Sequence, residues 1–196
     1  MSENKTLRTG YFDDMYDKNE DPWDFQTSDY EKNKYQATVD ILPKAQYQNA
    51  FEIGCSIGVL TEKLAAKCKK LFSVDISESP VEKARKRLAN YPQVSFAKME
   101  LPKEFPEQIF DLIIMSEIGY YFSLDDLALT QCLIMDHLAT GGQLLMVHWT
   151  PEVHNYPLTG DQVHDFFFKL AEAGGSLRRL DYKREEKYRI DLFEKI

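Results

Sequence analysis

Long apolar runs are missing from this chain. No stretch approaches the roughly 20 consecutive apolar residues needed to cross a bilayer, which excludes a helical membrane span and a membrane partner. Positive charge is also short: 24 Lys and Arg stand against 32 Asp and Glu, a formal net charge of −8. A nucleic-acid substrate would need a basic face, so that class is excluded, whereas a cationic ligand and an amine-bearing substrate suit the acidic balance. Cysteine is scarce. Cys55, Cys68 and Cys132 are widely spaced and odd in number, without the paired spacing of a metal site, and they read as reduced thiols of a cytoplasmic protein. The opening Met1-Ser2-Glu3-Asn4-Lys5 lacks the apolar core of a secretion signal. Internal repeats and low-complexity linkers are absent, so a single domain over 1–196 is expected.

What is present is the composition of a soluble globular domain, 43% apolar and 29% charged. The first 27 residues are aromatic and acidic with little periodicity. Ser28-Asp29-Tyr30-Glu31 is a capping box that predicts a helix running to Leu42, ahead of Pro43. Strands and helices then alternate: strands over 49–53, 70–74, 94–98, 110–115 and 143–148, with helices over 59–68, 79–90, 125–139 and 161–173. Ser79-Pro80 reads as cap and first-turn proline, and Gly141-Gly142 as a helix stop. The apolar Phe110-Asp111-Leu112-Ile113-Ile114-Met115 suits a central parallel strand covered on both faces. Segments 176–183 and 187–193 read as a terminal antiparallel hairpin. The expected fold is α/β and Rossmann-like: a seven-stranded, mostly parallel sheet with helices on both faces and that hairpin at its end.

The most informative stretch is Phe51-Glu52-Ile53-Gly54-Cys55-Ser56-Ile57-Gly58, followed by Val74-Asp75. A strand enters a glycine turn that opens a helix, and an acid sits at the tip of the next strand, the layout of a nucleoside pocket at the carboxyl edge of a parallel sheet. Gly54 permits a sharp turn. Gly58 lets the helix approach the strand and the backbone approach a ligand. Asp75, with Ile76 beside it, offers acceptor oxygens for both ribose hydroxyls. Glu52 is decisive, because a carboxylate two residues before the first glycine would repel a pyrophosphate. It suits S-adenosylmethionine, which carries a sulfonium and an ammonium and no phosphate; its product would be S-adenosylhomocysteine. The run Glu-x-Gly-x-x-x-Gly resembles the first motif of the class I methyltransferases, with Ser56 where a middle glycine is common. That resemblance implies that Met99 packs beside the adenine and that Glu100 accepts from its amino group; a solvated loop acid is the other reading of Glu100.

Further candidates lie at later strand ends. Glu117 faces either the methionine half of the cofactor or a substrate ammonium. Tyr120 and Tyr121 wall the methyl-transfer cavity or pack beneath the next helix. His148 is the best-placed general base, because imidazole titrates near working pH, although a histidine that only hydrogen-bonds in its loop would look the same. His148, His154 and His164 lie near Glu152, Asp161 and Asp165 in sequence, but their spacings match no short ligand motif and no metal is expected.

Asp21-Pro22-Trp23, the helix Tyr30-Glu31-Lys32-Asn33-Lys34-Tyr35, Glu52-Ile53-Gly54-Cys55 with Leu60-Thr61-Glu62-Lys63-Leu64-Ala65, and Phe110-Asp111-Leu112-Ile113 with Glu117 and Tyr120-Tyr121 resemble the NodS-like family. The similarity runs from about Tyr11 to Val147. The family's namesake, the rhizobial nodulation protein S, N-methylates a deacetylated chitooligosaccharide, so the resemblance implies methylation of a small acceptor, an amine or amino sugar or an oligosaccharide bearing one. It also implies that segment 1–45 folds over the cofactor on a core of 46–196. Trp23 would then lie against the cofactor, or else staple the segment to the sheet, and Lys34 would pair with the cofactor carboxylate. O-methylation of a small metabolite, a catalytically silent binding module and a nicotinamide-dependent dehydrogenase are the competing readings.

Overall fold

In the computed structural model, residues 5–172 and 174–196 are described. The chain divides into two compact units, Arg8–Glu100 and Leu101–Ile196, the latter together with the segment ending at Leu7. In the first unit the elements are α1 (Thr9–Lys18), α2 (Asp29–Asp40), β1 (Ala50–Ile53), α3 (Val59–Ala65), β2 (Leu71–Asp75), α4 (Glu78–Arg87) and β3 (Val94–Lys98). The second unit holds β4 (Phe110–Ser116), a 3₁₀ turn at Gly119–Tyr121, α5 (Leu124–His137), β5 (Leu138–Trp149), α6 (Gly160–Phe168), a second 3₁₀ turn at Lys169–Ala171, β6 (Leu177–Arg184) and β7 (Tyr188–Lys195). Strand order in the seven-stranded sheet is β3-β2-β1-β4-β5-β7-β6.

In the first unit β1, β2 and β3 pair in parallel, with Glu52 opposite Ser73. Residues 50–53 are buried throughout. In the second unit β5 pairs in parallel with β4 and antiparallel with β7, and β6 pairs antiparallel with β7. The expected α/β class, strand count and terminal antiparallel hairpin are all present. The core of the second unit is the run Leu112 to Met115 packed with Leu144 to Val147, each at 0% exposure, as a strand covered on both faces requires.

Several element bounds differ from expectation for identifiable reasons. Helix α1 arises where the sequence gives little signal: Arg8 provides no side-chain cap, and only the buried pair Phe12 and Tyr16, four residues apart, marks its inner face. Ser77, rather than Ser79, precedes α4. Pro80 is tolerated there because amides in a first helical turn have no intrahelical partner to lose. The Gly141-Gly142 pair is no helix stop. Helix α5 ends at His137 and β5 starts at once, so both glycines lie inside the strand where its register against β4 shifts. Gly141 takes φ +72°, as a kink in a strand permits. Helix α6 gives way to a 3₁₀ turn after Phe168, and the expected end at Ala173 lies outside the described residues. So does most of the opening segment on which the absence of a secretion signal rests.

Gly58 meets a different neighbour from the one expected. A Cβ there would approach Ala84 Cβ and Leu88 Cδ1 to 3.0 Å, so the glycine admits the chain against α4, while φ +81° already favours a residue without a side chain. Gly58→Ala is expected to destabilise the protein by about 1–3 kcal/mol. Urea unfolding monitored by far-UV circular dichroism measures this, and an unshifted midpoint would contradict close packing of the turn on α4.

Candidate active site

The turn after β1 is fastened from several sides. Gly54 and Cys55 both donate their amides to Val74 O, at 2.8 and 2.9 Å, which ties the turn to the end of β2. Gly54 takes φ +85° and Ser56 φ +47°. A serine in left-handed backbone carries a cost that its contacts must offset. Its amide donates to Asp75 Oδ2 at 2.9 Å, and its hydroxyl sits 2.6 Å from Tyr16 Oη. Cys55 is buried, with burial first and then the Asp75 charge pushing its thiol up, so it is an inert wall rather than a nucleophile.

Two carboxyls give this site its electrostatic character. Glu52 is fully buried, and Thr61 and Ser73 donate to its Oε2 at 2.7 and 2.8 Å. Its Oε1 has no partner. Burial pushes this carboxyl up to about 7, with the two hydroxyls pulling the other way. Asp75 is half-buried and receives Ser56 N–H on Oδ2 and Ser77 N–H on Oδ1. Burial raises it to about 6 against those bonds. Each Asp75 oxygen retains a second lone pair, so the carboxylate can still accept from a diol. A buried acid with an orphaned oxygen beside a second raised acid favours a cationic, hydroxyl-bearing ligand and disfavours a phosphate.

The amino-terminal segment closes on the turn. Beyond the Tyr16–Ser56 contact, Ser77 Oγ hydrogen-bonds Asp13. Trp23 stacks on Phe25 at 5.4 Å and meets Tyr16 edge-on at 5.8 Å. Lys34 is buried at 2% exposure, with its ammonium 2.9 Å from Glu31 Oε2 and 5.3 Å from the Tyr30 ring centroid. It is therefore directed at its own helix, and a ligand carboxylate would have to compete with Glu31. Met99 and Ile76 are half-buried, and the Met99 amide donates to Asp75 O at 2.9 Å. Glu100, one residue on, pairs with Arg8 at 3.1 Å.

In the second unit Glu117 takes φ +56°, a left-handed conformation for a non-glycine residue. Its Oε2 accepts from Tyr120 Oη at 2.7 Å and from Trp149 N at 2.8 Å. Burial, then the Glu117 charge, raises the Tyr120 phenol, which keeps it the donor in that bond. Tyr120 stacks on Tyr156 with centroids 5.1 Å apart, and Tyr121 meets both rings edge-on. His148 corrects the expectation of a general base. It is fully buried, its Nε2 accepts from Gly119 N at 3.0 Å, and its Nδ1 lies 3.0 Å from His164 Nε2. A base needs a lone pair open to the incoming group, and this ring has committed both nitrogens. Among the described residues no three His, Cys, Asp or Glu side chains are grouped to hold a metal ion.

Sequence reasoning gave no role to Tyr16, Asp13, Thr61 and Ser73, and it weighed His164 only as a metal ligand, missing its pairing with Asp191. For Tyr16 the signal was its spacing from Phe12. For Thr61 it was a polar residue among apolar ones on a helix facing the sheet. Ser73 was readable as the residue registered opposite Glu52. His164 and Asp191 carry no local signal, because 27 residues separate them.

The Glu52 carboxyl binds its proton more tightly in the folded chain than in the unfolded one. Its contribution to stability is fully present below the ordinary glutamate range and is lost as pH rises through about 7. Denaturant unfolding of the unliganded chain should show stability falling between about pH 5 and 8, by about 3 kcal/mol at most from this group. Glu52→Gln is expected to remove that part of the slope, and an identical slope in both proteins would count against a buried, protonated Glu52.

A family profile described as Nodulation protein S (NodS) matches residues 13–148, well over half of the chain. Nodulation protein S of Rhizobium tropici is 28% identical over 128 residues, covering 64% of this chain and 54% of that protein. The chain spans about half the length of the curated relatives it matches. A crystal structure of a methyltransferase from Pseudomonas syringae is 34% identical, with a TM-score of 0.72, covering 85% of this chain and 99% of that one. The N-methyltransferase NodS of Bradyrhizobium japonicum WM9, solved with S-adenosyl-L-homocysteine, superposes with a TM-score of 0.83 at 21% identity over 95% of this chain and 97% of that one. The fold is thus the class I methyltransferase fold, and by its motifs, its architecture and the span of the match the chain belongs to the Nodulation protein S (NodS) family.

Proposed function

We propose that this chain is an S-adenosylmethionine-dependent methyltransferase, a single domain that methylates the nitrogen of a small amine or amino sugar. The observation that carries this reading is Glu52: a fully buried carboxyl with an oxygen left without a partner, directly before the glycine turn. Relatives bearing the name nodulation protein S, and a NodS structure in complex with S-adenosyl-L-homocysteine, support it. Its three cysteines are free thiols, in keeping with the reducing cytoplasm.

The residues that would hold the cofactor do so by complementary chemistry. Asp75 accepts from the ribose hydroxyls, and the apolar Ile76 packs beside the nucleoside. Met99 packs beside the adenine, and Glu100 accepts from its amino group once released from Arg8. Gly54, Cys55, Ser56 and Gly58 form the close backbone wall, with Glu52 supplying negative potential beneath it. Trp23 covers the site from the amino-terminal side, and Lys34 draws the carboxylate end by exchanging its Glu31 partner for it. The cofactor, when bound, supplies a methyl carbon activated by a cationic sulfur. What remains for the protein is alignment of an acceptor lone pair with that carbon and exclusion of water. Glu117 serves as the acceptor anchor: its carboxylate, braced by Tyr120 and the Trp149 amide, attracts an ammonium and orients the neutral amine formed when a proton leaves to solvent. No dedicated base is required of His148.

Binding of a cationic donor near two raised carboxyls should drive their ionisation and release protons. Calorimetric titrations with S-adenosylmethionine near pH 6.5, in buffers of different ionisation enthalpy, are expected to show release of a fraction of a proton to about one. A buffer-independent heat would contradict the assignment of Glu52 and Asp75. Glu52→Ala is expected to weaken donor binding by about tenfold or more, whereas tighter binding of a dinucleotide by that variant would favour the dehydrogenase. Labelled methyl transfer to glucosamine oligomers and simple amines tests the acceptor class. Transfer to nitrogen is expected, and strict preference for a hydroxyl or thiol would overturn it.

A further inference from the structure

Three fully buried titratable side chains of the second unit have no part in the chemistry above. Asp191 on β7, His164 on α6 and His148 on β5 form a continuous series that ends on a backbone amide. Asp191 Oδ2 lies 2.6 Å from His164 Nδ1, His164 Nε2 lies 3.0 Å from His148 Nδ1, and His148 Nε2 accepts from Gly119 N at 3.0 Å. The two ends fix every proton between them. Gly119 N–H can only donate, so His148 Nε2 carries a lone pair and its Nδ1 the hydrogen. That hydrogen points to His164 Nε2, which must be a lone pair, so the His164 hydrogen sits on Nδ1 and points to Asp191. Asp191 is held as an acceptor, since its Oδ2 also receives Arg189 Nε at 2.7 Å and its Oδ1 lies 3.3 Å from an Arg179 nitrogen.

We propose that this Asp191–His164–His148 series is a proton-ordered brace for the acceptor-binding turn, with His148 a positioning residue that acts through the Gly119 amide on Tyr120 and Glu117. The inference rests on the reading of Glu117 as acceptor anchor. The geometry gives the brace a short reach. Gly119 opens the 3₁₀ turn that carries Tyr120, whose hydroxyl donates to Glu117 Oε2 alongside the Trp149 amide. The turn is also pressed from the side: a Cβ at Gly119 would come within 2.4 Å of Val163 Cγ1 on α6 and 2.9 Å of His148 Nε2. Helix α6 thus supplies both His164 and the wall against which the turn rests.

Such a series works only when both rings are neutral. With three ring hydrogens shared between two imidazoles, the outer bonds to Asp191 and between the rings take two. The third must sit on His148 Nε2, facing the Gly119 N–H, so one added proton breaks the bond to the turn. The groups that bear on that proton are Asp191 and Arg189 from β7, Arg179 from β6, Asp161 and Asp165 from α6, and the Tyr120 ring, 5.4 Å from His148. Burial holds the His164 ring below the usual histidine range, which favours the neutral form of that ring.

Ring-nitrogen NMR of the ¹⁵N-labelled wild-type chain tests the proton order directly. At about pH 7.5 both His148 and His164 are expected as neutral Nδ1–H tautomers. An Nε2–H tautomer or a doubly protonated ring at His148 under those conditions would overturn the proposal. Two variants then test positioning. The His148→Gln carbonyl can still accept from Gly119, and is expected to keep acceptor KM within about threefold of wild type. His148→Phe cannot, and is expected to raise that KM about tenfold, with kcat and the S-adenosylhomocysteine Kd each changed by less than about threefold. Equal KM in both variants, or a fall in kcat of about a hundredfold at constant KM as loss of a base would give, sinks the proposal. Should wild type methylate no amine, the reading of the function fails on its own. Amide exchange then tests the brace separately: Gly119 is expected to exchange about tenfold faster in the Phe variant and not in the Gln variant. If the Phe variant does not fold, the wild-type tautomers alone decide between the brace and an ordinary buried pair.

Discussion

Burying a carboxyl beside a backbone turn is the constraint around which the first unit is organised. An unpaired charge in a dry interior is costly, so each acid has been given donors on a fixed scaffold. Glu52 draws on a helix hydroxyl and a strand hydroxyl, Thr61 and Ser73, and through them ties β1 to α3 and β2. Asp75 draws on the Ser56 and Ser77 amides, and so joins the glycine turn to the entrance of α4. These bonds do not discharge the whole burden, since both acids stay above their ordinary ranges. The residual is electrostatic potential that a positively charged group beside the turn would relieve.

The two units solve a similar problem in different ways. In the first, uncompensated acidity is left in place. In the second, a buried acid is fully matched: Asp191 meets two arginine side chains and a histidine. A matched anion attracts no ligand, but it transmits direction, because the hydrogens leading away from it can point only one way. That contrast lies in the partners, since burial alone does not tell Glu52 from Asp191, both fully enclosed.

Much of this was legible in the chain because its signals are local. The turn from Gly54 to Gly58, the acid before it and the acid at the next strand tip lie within about one supersecondary unit, where spacing reports geometry. The Ser28 cap is equally local, and its hydroxyl does accept the Glu31 amide. Legibility failed where partners are remote or where a residue serves an unexpected neighbour. His148 looked like a base because it ends a strand; only the folded chain brings Gly119 and His164 to its two nitrogens. Gly58 suggested a close approach, but nothing in its surroundings could name α4 as the neighbour. Gly141-Gly142 resembled a helix stop, and became a kink within β5 because the strand begins directly at the end of α5. Helix α1 lacked a cap and offered only two buried apolar positions, and with it the Tyr16 hydroxyl on Ser56 was hidden.

The left-handed backbone at Glu117 narrows which side chains that position tolerates. Glycine, asparagine and aspartate enter this region with least strain, so a library at position 117 screened for thermal resistance alone should drift toward glycine and discard the anion. Aspartate would retain the charge on a stem one methylene shorter, out of step with the Tyr120 hydroxyl and the Trp149 amide that now meet on one oxygen. Glutamate in that conformation is thus a compromise in which backbone ease has been given up for reach, and thermal robustness and this pair of hydrogen bonds should be hard to keep together at this single codon.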